Sequence, residues 1–131
     1  MNLVDLTEHD HKLINLASER IQERRSKWSS VAAALTTSSG RTYLGVNIEI
    51  EASAPCSICA EYAAIGTMVT EGETQVETIV AVNKKGQIIP PCGKCRQFIA
   101  EFGNPYVIVD VEGEYKRSRL ADLYPVPVSS R

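Results

Sequence analysis

Two short stretches, Cys59-Ala60-Glu61 and Pro91-Cys92-Gly93-Lys94-Cys95, are separated by residues 62–90 in this chain of 131 residues. Three cysteine sulfurs suit Zn²⁺, which usually takes four ligands in tetrahedral geometry. Three protein ligands leave the fourth position to water, whose pKa then falls to about 7. The pattern therefore predicts a catalytic zinc ion held by Cys59, Cys92 and Cys95, with Glu61 beside it as a proton carrier.

The spacing within each stretch predicts where its helix begins. Cys92 and Cys95 are close to one helical turn apart, so their sulfurs share a face if Pro91 opens a helix. Two residues two positions apart diverge in mid-helix, so Cys59 must be the first residue of its helix if Glu61 is to stay nearby. Both sites lie at helix N-termini, where the helix dipole lowers thiol pKa values and offsets the negative charge of three thiolates.

Two further segments make the pattern more specific. Gly45-Val46-Asn47-Ile48-Glu49 precedes the first stretch, and Arg-Gln-Phe-Ile-Ala-Glu-Phe continues the second to residue 102. In order and spacing, the segments together resemble the cytidine deaminase family, and the resemblance extends from about Val31 to Pro125. It implies an α/β/α sandwich fold and a zinc-dependent hydrolytic deaminase, whose glutamate moves protons between water and the cytosine ring.

The resemblance also implies a substrate and an assembly. Asn47 and Glu49 match the positions that hold the ribose hydroxyls in the family, and Ala60 is the third expected substrate-binding residue. On a strand, residues two apart point to the same face, but alternation on a half-buried strand explains the same pattern. The implied substrate is cytidine, deoxycytidine or a related cytosine nucleoside, and the implied assembly is a homotetramer.

Composition limits the class of protein. The chain is 44% hydrophobic and 23% charged, which is typical of one soluble domain over residues 1–131, and neither a membrane span nor a signal peptide is apparent. We therefore expect a cytoplasmic protein, in which four cysteines are metal ligands or free thiols rather than disulfides. A net charge of −2 without a long basic block argues against a nucleic-acid partner and favours a small-molecule substrate.

Hydrophobic periodicity predicts a mixed sheet of about five strands with helices on both faces. The expected strands are Val31–Thr36, Arg41–Ile50, Thr78–Val82, Tyr106–Val111 and Tyr115–Arg117, the first two antiparallel. The expected helices are residues 8 to about 24, Cys59–Thr70, one beginning near Pro91, and Ser118–Tyr124. Strand and helix alternate after residue 78, which predicts a parallel strand pair there.

Cys56 supports a different interpretation of the cysteines. With Cys59 it forms a second Cys-x-x-Cys, so that the two pairs together are compatible with a structural four-cysteine zinc knuckle. The distance between the pairs is longer than usual for such modules, and a knuckle has no role for Glu61. We therefore expect Cys56 not to bind the metal.

Several positions depart from the usual family pattern. Ser29 stands where the family has an aromatic residue over the pyrimidine, and Trp28 is either a substitute or a packing residue of the core or an interface. Tyr62 replaces an arginine, for which Arg96 is the nearest replacement in sequence. Blasticidin S deaminases lack the same two residues, so an antibiotic nucleoside is the second candidate substrate. A zinc-stabilised binding module without turnover is the non-enzymatic alternative.

Overall fold

Helix α1 (Glu8–Glu23) begins where the sequence predicts, in a computed structural model that describes residues 2–129. Thr7 caps it, since its hydroxyl accepts a hydrogen bond from the backbone N–H of Asp10 and the Asp10 carboxylate accepts one from that of Thr7 (3.1 and 2.9 Å). One face of the helix is buried against the sheet through Leu13, Ala17 and Ile21.

The five strands form one sheet in the order β2-β1-β3-β4-β5. Their bounds are β1 Val31–Thr37, β2 Thr42–Val46, β3 Val76–Asn83, β4 Tyr106–Val111 and β5 Glu114–Arg119. All neighbours are antiparallel except β3 and β4, whose parallel pairing allows the intervening helix to cross over one face. The predicted mixed sheet and its parallel pair are confirmed.

The remaining helices are α2 (Ala60–Thr70), α3 (Gly93–Ala100) and α4 (Leu120–Leu123), with a short 3₁₀ turn at Ala54–Cys56. Strand β3 is covered on both faces, because its alternating residues belong to two separate cores. Val80 and Val82 pack towards α1, while Ile79 and Ala81 belong to the core that includes α2 and α3. The predicted α/β/α sandwich is therefore confirmed.

Gly45 sets the distance between α2 and the sheet. A Cβ atom at this position of β2 would lie 2.2 Å from the backbone nitrogen of Ala64 and 2.7 Å from the Cβ of Ala63. Only a residue without a side chain allows the helix backbone to approach this closely. Since α2 follows directly after Cys59 and carries Glu61, this contact also fixes where those two residues lie.

Three sequence-based expectations need correction. Strand β2 ends at Val46 rather than Ile50, because the chain from residue 47 onward bonds to residues 28–31 and makes only an isolated bridge between Ile48 and Ile58. Ser118 pairs with Val107 within β5, which leaves α4 shorter than expected. Trp28 is 48% exposed, which excludes packing in the core, one of the three alternatives predicted for it.

Among residues 2–129, none of the helices combines the length and the apolar character needed to span a bilayer.

Candidate active site

Two helix N-termini carry the cysteines of the two defining stretches. Cys59 is the N-cap of α2 and Cys92 the N-cap of α3, both in extended backbone conformation, and Cys95 is buried in the first turn of α3. Pro91 precedes the cap, so the expectation that it opens the helix is wrong by two residues. Each thiol nevertheless lies where unpaired backbone N–H groups and the helix dipole favour negative charge.

One cavity of about 390 Å³ brings together all seven residues expected at the site. Cys59, Glu61, Cys92 and Cys95 form what we call its thiol wall, and Asn47 and Glu49 form its polar wall; Ala60 also lines it. The intervening surface is aliphatic and includes Val31, Ile48, Ile58, Ala81 and Ile89. Cys56 does not line the cavity; its thiol donates a hydrogen bond to the hydroxyl of Ser53 at 3.4 Å.

Glu61 is the buried acid of the thiol wall. It is 7% exposed, and burial raises the pKa of its carboxyl above the ordinary value, although a backbone N–H donor partly opposes this. A buried carboxyl with a raised pKa exchanges protons at a pH closer to neutrality than a solvated carboxyl does. Its spacing from Cys59 was the signal in the sequence that distinguished Glu61 from a surface acid, and its role as a proton carrier stays a prediction.

The thiols of this wall differ in their electrostatics. The pKa of Cys92 is lowered, first because the backbone N–H of Cys95 donates to its sulfur. The pKa of Cys95 is raised strongly, first by burial, then by the charge of Glu61 and by Cys59 and Cys92. Both shifts have the same origin, because all three sulfurs and the Glu61 carboxylate line one cavity.

The donor set fits zinc by its chemistry. Within the described part of the chain, no three His, Cys, Asp or Glu side chains are drawn together in a ready metal-binding arrangement. The three thiols nevertheless line one cavity, and two of them cap helices whose N-termini stabilise thiolates. Cys59, Cys92 and Cys95 are therefore the residues that would hold a zinc ion, with Glu61 adjacent.

Asn47 lies beyond the end of β2 and is held by the chain that leads into β1. Its side-chain oxygen accepts hydrogen bonds from the backbone N–H groups of Ser30 and Val31 (2.7 and 2.9 Å). Its amide nitrogen donates to the Ser30 hydroxyl at 3.2 Å. Glu49 is exposed at the cavity, and its backbone N–H donates to the carbonyl of Trp28 at 2.8 Å. Both residues thus reach the same cavity, although not on the regular strand that the sequence predicts.

The positive charge of the site comes from a residue that sequence analysis missed. Arg96, the expected replacement, donates to the carbonyls of Pro91 and Leu123 (2.8 and 3.0 Å) and does not line the cavity. Lys94 does line it, with its ammonium 5.0 Å from the centroid of the Tyr62 ring. No spacing rule indicates this residue, since side chains one or two positions apart on a helix do not face each other; only the fold shows that Lys94 lines the cavity.

Comparisons with known proteins agree on one family. The family model described as the cytidine and deoxycytidylate deaminase zinc-binding region matches residues 7–111. A blasticidin-S deaminase from Bacillus cereus is 27% identical over 136 aligned residues, which cover 96% of each chain. A cytidine deaminase from Mycoplasma genitalium is 35% identical over 95 residues, covering 70% of this chain and 72% of that protein.

A solved structure supports the same fold. The crystal structure of cytidine deaminase from Mycobacterium leprae superposes with a TM-score of 0.79 at 24% identity, and the match covers 92% of this chain and 100% of that one. The similarity of fold therefore extends over nearly the whole chain.

Proposed function

The chain belongs to the cytidine and deoxycytidylate deaminase zinc-binding family, and from this premise we propose that it hydrolytically deaminates cytidine, 2′-deoxycytidine or a closely related cytosine nucleoside. The observation that supports this most directly is the thiol wall, where three cysteines and a buried glutamate line one cavity. The reaction consumes water and releases ammonia and the uracil nucleoside.

Cys59, Cys92 and Cys95 would hold the zinc ion, which would act as a Lewis acid and bring the pKa of water close to neutrality. Glu61 carries the protons of the reaction. Its carboxylate accepts a proton from the attacking water and delivers it to N3 of the cytosine ring, which makes C4 more electrophilic. Once the water oxygen is bonded to C4, Glu61 takes the remaining proton from that oxygen and passes it to the amine, so that the C4–N bond breaks, ammonia leaves and C4 becomes the carbonyl carbon of the uracil nucleoside.

The polar wall is suited to a sugar. The Asn47 side chain presents an amide N–H and Glu49 presents a carboxylate, so a hydroxyl can accept from the first and donate to the second. The aliphatic surface between the walls accommodates the ring, in a cavity of about 390 Å³ that matches the size of small-ligand sites. A nucleoside therefore fits the site better than a free base.

We propose further that the protein acts on small molecules rather than on nucleic acids, as its net charge of −2 suggests. The proposal includes a homotetramer, by family membership, and a cytoplasmic location, since four free thiols suit a reducing compartment. Light scattering after gel filtration tests the tetramer, which requires a mass of four times 14.4 kDa.

One ultraviolet assay tests the proposed activity. The purified protein, with its zinc content measured, is incubated with cytidine, 2′-deoxycytidine, cytosine and blasticidin S, and deamination is followed by the change in absorbance. We expect one zinc per chain and turnover of the two nucleosides, with cytosine converted far more slowly. Zinc binding without turnover of any compound would contradict the proposal and favour a zinc-stabilised binding module.

Blasticidin S is the second candidate substrate. The Bacillus cereus relative aligns with nearly the full length of this chain, and the cavity lining within residues 2–129 contains no aromatic side chain to stack on a pyrimidine. The value of kcat/KM for blasticidin S against that for cytidine decides between the two candidates.

A further inference from the structure

Residues 29–31 surround Asn47 with hydrogen bonds, and we call this segment the Asn47 clamp. Ser30 and Val31 donate their backbone N–H groups to the side-chain oxygen of Asn47, as described above. The backbone N–H of Asn47 donates to the carbonyl of Val31 at 3.0 Å. Finally, the hydroxyl of Ser29 donates to the backbone carbonyl of Asn47 at 2.8 Å. The clamp therefore holds both the backbone and the side chain of one cavity residue.

The clamp determines which hydrogen-bonding groups Asn47 can offer to a ligand. Its side-chain oxygen has two lone pairs, and two backbone N–H groups already occupy them. Because backbone N–H groups are obligatory donors, the atom that faces them is the oxygen, which leaves the amide nitrogen on the other side. One of the two hydrogens on that nitrogen is directed to Ser30, so a single N–H remains for a ligand. Asn47 thus acts towards the cavity as a donor.

Ser29 contributes to this arrangement from outside the cavity. It is 7% exposed and is not among the residues that line the cavity. Its hydroxyl bonds to Asn47 just where β2 ends and the regular ladder to β1 stops. At that point a side-chain donor replaces the ladder hydrogen bond that a longer strand would supply.

We propose that Ser29 is a positioning residue for sugar recognition, acting through Asn47 in the proposed nucleoside deaminase. The hydroxyl keeps the Asn47 peptide in place, and the Asn47 amide in turn presents its free N–H to a sugar hydroxyl. The inference rests on the proposed function and extends it by assigning a role to a residue that stands where the family pattern has an aromatic side chain. Loss of the hydroxyl should affect the sugar end of the cavity and leave the thiol wall intact.

The test compares two substrates within each variant. Ser29→Ala, Asn47→Ala, the double variant and a control are assayed for kcat/KM on cytidine and on 2′,3′-dideoxycytidine, which lacks both ribose hydroxyls of the ring. Since the ratio of the two values is internal to each preparation, partial misfolding or incomplete zinc loading cancels. Ser118→Ala is the matched control, because Ser118 is also buried and its hydroxyl also donates to a backbone carbonyl, but it lies on β5 outside the cavity lining.

We expect Ser29→Ala to lower the cytidine-to-dideoxycytidine ratio about three- to tenfold, as expected for one weakened hydrogen bond. The change should come mainly from KM for cytidine and should disappear in the Asn47→Ala background, whereas Ser118→Ala should leave the ratio unchanged. Dissociation constants for the two nucleosides, measured by calorimetry, should follow the same pattern.

Three results would overturn the inference. The first is an unchanged ratio in Ser29→Ala while the wild-type protein converts cytidine, which leaves the proposed function in place. The second is an equal fall in this ratio when Ser29→Ala is made in the wild-type protein and in the Asn47→Ala background. That result would show that Ser29 acts by another route. The third is a wild-type protein that neither converts nor binds any cytosine nucleoside, and that result removes the proposed function as well.

Discussion

The thiol wall and the polar wall of the cavity are built in different ways. The thiol wall comes from two helix N-termini, where the local sequence sets the cap, the first turn and the direction of each side chain. The polar wall comes from irregular chain beyond β2, where Asn47 is held by residues that precede it by sixteen to eighteen positions. The first wall is therefore set by local sequence together with the packing of α2 on Gly45, whereas the second depends on hydrogen bonds to residues 29–31.

The largest expected effect is the loss of zinc from the thiol wall. Cys59→Ser should abolish zinc binding at micromolar metal and remove activity, because a neutral hydroxyl replaces a thiolate ligand. Cys56→Ser is the matched control, since this thiol is exposed and does not line the cavity, and it should keep one zinc per chain. Metal analysis after gel filtration gives the answer; loss of zinc from the Cys56 variant would support the four-cysteine knuckle.

The second largest expected effect is a loss of catalytic rate while the zinc site stays intact. Glu61→Gln should keep the zinc and lower kcat by about 10²–10⁴-fold, because the amide fills the same buried space without carrying a proton. Single-turnover kinetics with cytidine measures the loss, and the zinc content of the same sample shows that the site is still formed. Near-normal turnover would show that another group moves the proton.

A third effect tests the contact that places the thiol wall against the sheet. Gly45→Ala should destabilise the protein by about 1–3 kcal/mol, because the new methyl group would lie 2.2 Å from the nitrogen of Ala64 and α2 must move away. Urea denaturation measures the change in the free energy of unfolding.

Gly66→Ala provides the control for this third effect. Gly66 lies on the exposed side of the same helix, and a Cβ there meets nothing within 4 Å. Because alanine favours the helix over glycine, this variant should stabilise the protein by up to about 1 kcal/mol. Equal destabilisation of both variants would show that the close approach at Gly45 is not the cause.

The smallest effect belongs to the polar wall. Glu49→Gln should raise KM for cytidine about tenfold with little change in kcat, since a neutral amide accepts a weaker hydrogen bond from a sugar hydroxyl than a carboxylate does. The same substitution should leave KM for 2′,3′-dideoxycytidine unchanged. A similar rise for both substrates would show that Glu49 does not contact the sugar.

Sequence analysis succeeded best where local patterns decide the structure. The five strands, the crossover helices and the parallel pair follow from alternating hydrophobicity and from segment length, which act over a few residues. It succeeded less well at residue 47, where alternation predicted that the strand continues. There the backbone N–H groups of Ser30 and Val31 donate to the side-chain oxygen of Asn47, and the regular strand ends. No local pattern in the sequence indicates these hydrogen bonds.

The assignment of charged residues shows the same limit. Distance along the chain suggested Arg96 as the cation near the sulfurs, but its guanidinium donates to the carbonyls of Pro91 and Leu123, and Lys94 reaches the cavity instead. Asp10 is a comparable case, because it is fully buried and its carboxylate lies 3.4 Å from the guanidinium of Arg117, which is distant in sequence. The partners of a long side chain depend on which groups the fold brings near it, so spacing along the sequence does not identify those partners.

The sequence by itself determined the type of fold, the approximate positions of the two helix N-termini that hold the thiols, and the set of residues from which a zinc site can be made. These follow from short-range geometry and from the chemistry of sulfur and carboxylate groups. Only the tertiary structure decided that both walls meet in one cavity, that Glu61 is buried there, and that Ser29 bonds to Asn47. Burial and long-range hydrogen bonds depend on how helices pack on the sheet, and that packing involves residues from every part of the chain.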